Sequence, residues 1–239
     1  MSSSGPKLVP GAAALLAIFA AGGVQAANLA ANGDFANLGN VWVNNTGLGS
    51  DDWQTAGATA IPGWSNVTGV ANEFWVGASN GYGLSASPGN GSSFFVDLTG
   101  QANSKPYGGI EQTVATTAGA QYTLSFALGS STLYNGPGLA AAALQASASG
   151  AAPLASQLYL SNPTSANEWT SETLTFTADS GMTTIEFLAD SSYSSRYVGL
   201  DDVSVTPAAA VPEPGSAALL LLGMGGLGAL RLRRVRRGS

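Results

Sequence analysis

The 239-residue sequence predicts an all-β fold, an antiparallel β-sandwich or jelly roll, held between two ends that are not part of it. Three observations predict it. Period-2 alternation of apolar and polar residues recurs between Asn28 and Val211, and no window there holds a long helical period. Gly-rich turns punctuate the alternation at Pro88-Gly89-Asn90-Gly91, Ala118-Gly119, Asn135-Gly136-Pro137-Gly138 and Ser180-Gly181. Charge is low, at 9% of residues, but five Trp, seven Tyr and eight Phe argue for a packed core rather than a disordered chain.

Residues 1–26 read as a secretory signal. Lys7 and the amino terminus supply the positive start, and residues 11–21 form an apolar stretch too short to span a bilayer. Val24-Gln25-Ala26 places small residues before the Ala26–Ala27 bond, where signal peptidase of the secretion machinery would cut. Residues 27–206 are expected to be one domain, without internal repeats. Its strands are expected at 93–98, 109–114, 121–128, 173–177, 184–188 and 198–205. The alternation puts Ile110, Gln112 and Val114 on one face, and likewise Tyr122, Leu124, Phe126 and Leu128. Leu174 and Phe176 point inward, and Trp64, Tyr122, Phe126, Trp169 and Phe176 are assigned to the core. Residues 139–149 are Ala-rich, which suits a helix. Flanking Gly138 and Gly150, and the surrounding strands, favour a strand instead. Residues 207–214 are a linker containing the helix-excluding Pro212-Glu213-Pro214. Residues 215–230 are uncharged and slightly short of the roughly 20 residues that cross a bilayer, so residues 215–239 are expected to be a transmembrane helix with an Arg-rich tail. Arg231, Arg233, Arg234, Arg236 and Arg237 follow it and would stay cytoplasmic, leaving the domain outside.

The composition also excludes chemistry. There is no His and no Cys, so Ser-His, Cys-His, thiolate and His- or Cys-ligated zinc chemistry are absent. Any metal would sit on oxygen ligands. Between Asn28 and Val211 thirteen acids face two cations, Lys105 and Arg196, a net charge of −11. Such a domain repels nucleic acid and anionic lipid and tolerates neutral polymers.

Asp201-Asp202 is a suggestive pair. Neighbours on a strand face opposite ways, so both carboxylates reach one site only if the strand bulges. Glycosidase chemistry needs two carboxylates about 5–9.5 Å apart, and no acid is singled out for it. Sugar binding needs exposed aromatic faces. Trp42, Trp53, Trp75, Tyr82, Tyr107, Tyr134 and Tyr193 stand mostly in Gly/Asn-rich, irregular segments. Asp51-Asp52-Trp53 is the best cluster, pairing acceptors for hydroxyls with a ring. Arg196 reads as a salt-bridge partner or a ligand clamp. The triplets at Asn44, Asn66 and Asn90 carry little weight as glycosylation sites.

The tail resembles the PEP-CTERM sorting signal: Pro-Glu-Pro, a short membrane helix and an Arg-rich end, in that order. The resemblance implies an exosortase of Gram-negative bacteria as partner. Pro212, Glu213 and Pro214, with Arg231, Arg233 and Arg234, would then be a processing and sorting site.

The middle carries a second resemblance. Asn32-Gly33-Asp34-Phe35, Ile61-Pro62-Gly63-Trp64, Phe95-Val96-Asp97-Leu98, Ile110-Glu111-Gln112, Gln121-Tyr122-Thr123-Leu124 and Leu200-Asp201-Asp202-Val203 occur in the order seen in galactose-binding-like jelly rolls of bacterial surface proteins. They are most similar to a family of domains also found in plant cell-wall proteins. The resemblance implies eight or nine strands and a structural calcium (Ca2+) tying the opening segment to the closing one, here through Asp34 and Asp202. Ala36 stands where a Glu is usual, which removes one ligand.

The expected function is that of a non-enzymatic exported protein. It would pass through the inner membrane, reach the cell surface or extracellular matrix, and associate with exopolysaccharide or biofilm. The alternative is a specific carbohydrate-binding module, and a more distant one a glycan hydrolase.

Overall fold

The structure, a computed structural model, describes residues 27–37, 51–55, 61–67, 73–77, 84–89, 94–99, 105–132, 142–193 and 197–208. They form eleven strands: β1 (Asp51–Thr55), β2 (Ser65–Asn66), β3 (Glu73–Gly77), β4 (Phe95–Asp97), β5 (Gly109–Ala115), β6 (Gln121–Ser130), β7 (Ala142–Ser149), β8 (Pro153–Ser161), β9 (Glu168–Thr177), β10 (Met182–Ala189) and β11 (Gly199–Pro207). The strand pairings are all antiparallel. One sheet runs β1-β3-β4-β11-β6-β9, the other β2-β5-β10-β7-β8. This is the predicted class, an all-β, two-sheet jelly roll. The secretory signal predicted at 1–26 and the transmembrane helix predicted at 215–239 lie outside the described residues. Among the described residues no helix is long and apolar enough to cross a membrane.

The inward faces are those the alternation chose. Ile110, Gln112 and Val114 are buried, as are Tyr122, Leu124, Phe126, Leu128, Leu174 and Phe176. The Ala-rich stretch is a strand from Ala142 onward, its burial alternating after Leu144. Between the sheets Phe187 packs on Phe126 and Trp64, with ring centroids 5.0 and 6.1 Å away. Tyr159 closes on Phe126 edge-on at 5.1 Å. Each such pair adds roughly 0.5–1.5 kcal/mol to the area it buries.

Polar groups tie the opening segment into this core. The buried Gln112 side chain accepts the Ala31 N–H at 2.7 Å and donates to the carbonyls of Ala31 and Gly63. Leu29 donates to the Val205 carbonyl at 2.8 Å, and Asn28 both donates to the Val203 carbonyl and accepts from the Val205 N–H. The segment at Asn28 and Leu29 therefore lies beside the last strand. Gly33 is required there, since a Cβ would overlap the Val203 carbonyl oxygen.

The structure also departs from the sequence reading. Four strands were not foreseen, β1, β2, β3 and β8, and eleven are described where eight or nine were implied. Trp53 and Trp75 stand on strands rather than in irregular segments. Trp169 is half-buried rather than a core residue, because it is out of phase with Leu174 and Phe176 and so faces away from the sandwich interior.

Candidate functional site

The register of the six-stranded sheet draws one row of residues across every strand. Trp53 on β1 pairs with Trp75 on β3, and Trp75 with Asp97 on β4. Asp97 pairs with Gly199 on β11, Gly199 with Gly129 on β6, and Gly129 with Trp169 on β9. Register partners share a face of the sheet. The chain neighbours Val96, Leu98, Leu128 and Leu200 fill the interior, so Asp97, Gly199, Gly129 and Trp169 lie on the outer face.

The middle of the row is covered. The Trp169 ring lies across the two glycines: an ideal Cβ on Gly129 would stand 2.7 Å from its Cη2 atom, and one on Gly199 3.0 Å. Leu84, Phe95 and Tyr197 are buried beside Trp169, which meets Phe95 edge-on at 5.7 Å. Residues 84–89 thus form a strap over the sheet. Its Ser85 N–H donates to Asn167 Oδ1, its Ser85 hydroxyl oxygen accepts from Asn167 Nδ2, and its Ser85 carbonyl accepts from Trp169 Nε1 at 2.9 Å.

Further along, the Ser87 N–H donates to Asp201 Oδ2 at 2.9 Å and the Ser87 hydroxyl to Asp202 Oδ2 at 2.6 Å. Both adjacent carboxylates reach one residue because β11 bulges. Its register shifts between Asp201 and Ser204, and Asp202 adopts φ 50°. The condition set by strand geometry is met, and the pair is engaged in holding the strap.

Asp97 sits at the centre of the row and is buried. Its Oδ1 accepts three hydrogen bonds, from the Thr99 N–H (2.9 Å), the Thr99 hydroxyl (2.7 Å) and the Val198 N–H (3.2 Å). Among the described residues no donor reaches Oδ2. Burial pushes the carboxyl up to about 6 against the pull of those bonds. Tyr107, just ahead of β5, is raised too, by burial and then by the Asp97 charge. Lys105 holds its ammonium 5.8 Å from the Tyr107 ring centroid.

Several predicted site residues can now be placed. Asp51, Asp52 and Trp53 are consecutive on β1, opposite Gly77, Val76 and Trp75 of β3. Tyr107 is corrected: it is buried, 3% exposed, and is no surface platform. Its Pro-Tyr-Gly-Gly setting reads as a loop, but its amide bonds the Ser191 hydroxyl and packing covers the ring. Tyr193 is half-buried. Ala27 is exposed at the start of the described chain. Ala26, Trp42, Tyr82, Tyr134, Arg196, Pro212, Glu213, Pro214, Arg231, Arg233 and Arg234 lie outside the described residues. Asp97, Ser87 and the row itself were not singled out from sequence.

The proposed calcium residues share a pocket. Asp34, exposed in the opening turn, and half-buried Asp202 line about 360 Å³ with Asn28, Asn32 and Ser204. Asn28 Oδ1 already accepts from the Ala30 and Val205 amides, Asn32 Oδ1 from Asn37, and one Asp202 oxygen from Ser87. Among the described residues no group of three or more acidic side chains is gathered to hold an ion. Asp34 and Asp202 would supply carboxylate oxygens toward the six to eight or so that calcium takes, with backbone carbonyls completing the set.

Comparison with known proteins adds the following. None of the curated proteins matches the chain. Residues 210–237 match the PEP-CTERM protein-sorting motif, the mark of an exported protein processed at the membrane. Among solved structures, a CBM61 module in complex with β-1,4-galactotriose is 11% identical, covers 76% of this chain and 99% of its own, and has a TM-score of 0.41. The CBM22-1 xylan-binding domain from Paenibacillus barcinonensis Xyn10C is 15% identical over 66% of this chain and 92% of its own, with a TM-score of 0.37. The α-L-arabinofuranosidase MgGH51, bound to arabinose, is 13% identical over 69% of this chain, which spans only 27% of that enzyme, with a TM-score of 0.43. The domain itself is matched from residue 28 to residue 205, and the chain belongs to the family described as Protein of unknown function (DUF642).

Proposed function

We propose that this is an exported, non-enzymatic glycan-binding protein, sorted by exosortase to the cell surface, whose outer six-stranded face receives a neutral polysaccharide of the surrounding matrix. The observation that carries the reading is the cross-sheet row. It aligns the backbone positions of Trp53, Trp75, Asp97 and Trp169 across the sheet, which supports the reading. Aromatic positions beside a hydroxyl acceptor are what pyranose rings require, C–H faces on π-systems and hydroxyls on fixed polar groups. The net charge of −11 between Asn28 and Val211 supports neutral rather than anionic glycans. The sorting motif supports the address.

A glycan array with the purified full-length chain tests the reading. Binding to neutral polysaccharide is expected, weakened by at least about tenfold, roughly 1.4 kcal/mol, in Trp53→Ala and Trp75→Ala. Equal binding by both variants would remove the face from consideration. The sorting half has its own test: deleting residues 212–239 is expected to abolish surface display, and unchanged display would overturn it.

A further inference from the structure

We infer that one pole of the sandwich is a membrane footing: the turns of residues 115–121, 149–153 and 177–182, with the end of β11, rest on the lipid surface while the protein is anchored. The inference rests on the sorting reading above and on the expected entry of residues 215–230 into the bilayer. Its starting point is where the chain leaves the fold. Pro207 ends β11 in register with Tyr122, and the Ala208 N–H donates to the Gln121 carbonyl at 2.8 Å. The chain is therefore held to the domain as far as Ala208, and Gly215 opens the uncharged run seven residues later. Seven residues reach at most about 25 Å when fully extended. β6 starts at the same pole, and its ten residues span about 30 Å. The tether is shorter than that strand, so the opposite pole cannot be turned to the bilayer. The opening segment ends at the same place. Leu29 donates to the Val205 carbonyl and Val203 to the Gly33 carbonyl, so the segment runs antiparallel to β11 and leads the exposed Ala27 toward Pro207.

The pole is braced. The Thr116 N–H donates to the Gly181 carbonyl at 2.9 Å and its hydroxyl to the Ser180 carbonyl at 3.0 Å. The Gly119 N–H donates to the Ala178 carbonyl, and the Ala178 N–H to the Ala120 carbonyl. The third turn is fastened through Asp179, whose carboxylate accepts from the Ala151 and Ala152 amides at 3.2 and 3.1 Å. Gly150 permits that approach, since a Cβ there would overlap Asp179 Oδ1.

Asp179 is also the one charged residue in the three turns. Ala118, Ala151, Ala152 and Pro153 are exposed beside it, and Met182 is 52% exposed. Acids stand elsewhere: Glu168 and Asp190 at the far ends of β9 and β10, Glu111 and Glu186 on the five-stranded sheet. An acidic body tethered at an anionic leaflet turns its least acidic end toward it. Exposed apolar groups at that end suit the boundary, and a short tether supplies an effective concentration in the mM range or so that compensates for their weak affinity. Pro212 then lies within about 14 Å of Ala208, so the sorting motif would be cut beneath the domain. The cut removes the tether and frees the pole.

The sequence has no Cys, so single-cysteine labels report one place at a time. Met182→Cys and Ala118→Cys mark the pole, Asn162→Cys the opposite end, and Ser171→Cys the outer face of β9; all four positions are exposed. Each full-length variant carries a fluorophore and is reconstituted into vesicles of phosphatidylethanolamine and phosphatidylglycerol containing a spin-labelled lipid quencher. Most of the fluorescence at 182 and 118 is expected to be lost, and that at 162 and 171 kept. Adding Ala118→Glu and Ala151→Glu to Met182→Cys is expected to restore the signal, less so at high salt. Unchanged quenching in that variant, or quenching at 171 or 162 that equals quenching at 182, overturns the footing. Quenching at 182 that appears only with exosortase in the same vesicles assigns the pole to the enzyme and overturns the lipid. Where Met182→Cys does not fold, Ala118→Cys decides. Flotation separates the two readings. A chain that floats with the vesicles while 182 and 118 stay bright sinks the footing alone, and a chain that does not float sinks the membrane tether with it.

Discussion

The two sheets differ in what lies outside them. On the five-stranded sheet β10 alternates between buried and more accessible residues, and Thr113 and Ala115 of β5 face solvent. On the six-stranded sheet β4 is buried at every position, and β11 begins with three buried residues. One sheet has a single packed face. The other is packed on both faces along its middle strands, which reads as a continuous buried run rather than an alternation. The two packed faces are themselves unlike. The interior is a network of rings and aliphatic chains. The outer patch mixes Leu84, Phe95 and Tyr197 with the buried carboxylates Asp97 and Asp201. The outer patch is held by polar ties from Ser85 and Ser87 as well as by apolar contact, the interior mainly by rings and aliphatic chains.

Mutations can sharpen or break that contrast. Phe187→Ala empties the interior, where the ring is fully buried between Phe126 and Trp64, and is expected to cost about 3–5 kcal/mol in urea denaturation. Phe95→Ala removes an equally buried ring from beneath the strap, which can settle into the space, so a smaller loss of about 2–3 kcal/mol is expected. Equal losses would mean that the strap is as rigid as the core.

Asp97 gives the contrast a pH signature. Its folded value of about 6 lies above the unfolded one near 3.8. The stability it contributes is therefore complete below the unfolded value and lost as pH rises through about 6. Two pKa units amount to about 3 kcal/mol. Asp97→Asn should abolish that slope, read as the difference between the variant and wild-type stability curves from pH 4 to 7. Parallel curves would mean that the carboxyl titrates normally.

The solvent-facing side of the other sheet predicts the smallest effect. Glu186 is raised by partial burial and then by Glu111, its register partner on β5. The unpaired repulsion grows as pH rises and Glu186 ionises. Glu186→Gln is expected to stabilise by a few tenths of a kcal/mol at neutral pH, less at high salt, measured as a melting shift.

Much of the sandwich was legible in the sequence, because alternation is a local record of burial. Tyr122, Leu124, Phe126 and Leu128 announce both β6 and its inner face. Two further signals were present and went unread. Trp169 is odd-numbered where Leu174 and Phe176 are even, which already turns it outward. In β11 the apolar phase changes from Val198 and Leu200 to Val203 and Val205, which already requires a bulge between them. β1 and β3 were hidden because DDWQT and EFWVG are short and set among Gly and Asn, so neighbours rather than propensity make them strands. The row from Trp53 to Trp169 was beyond any sequence reading. It exists only through five strand registers, which turns and packing set together.

The pairing of the segment at Asn28 and Leu29 with the last strand has a consequence for export. β11 lies between β4 and β6, and the opening segment bonds to it across some 175 residues. An exported chain threaded from its N-terminus presents β11 last. The central seam of the large sheet then stays open until nearly the whole domain has crossed. Completion of the fold is thereby timed to the arrival of the stretch just ahead of the sorting motif. Until that stretch has arrived, β4 and β6 each lack the neighbour that joins them, and the long-range pairing of the large sheet is incomplete.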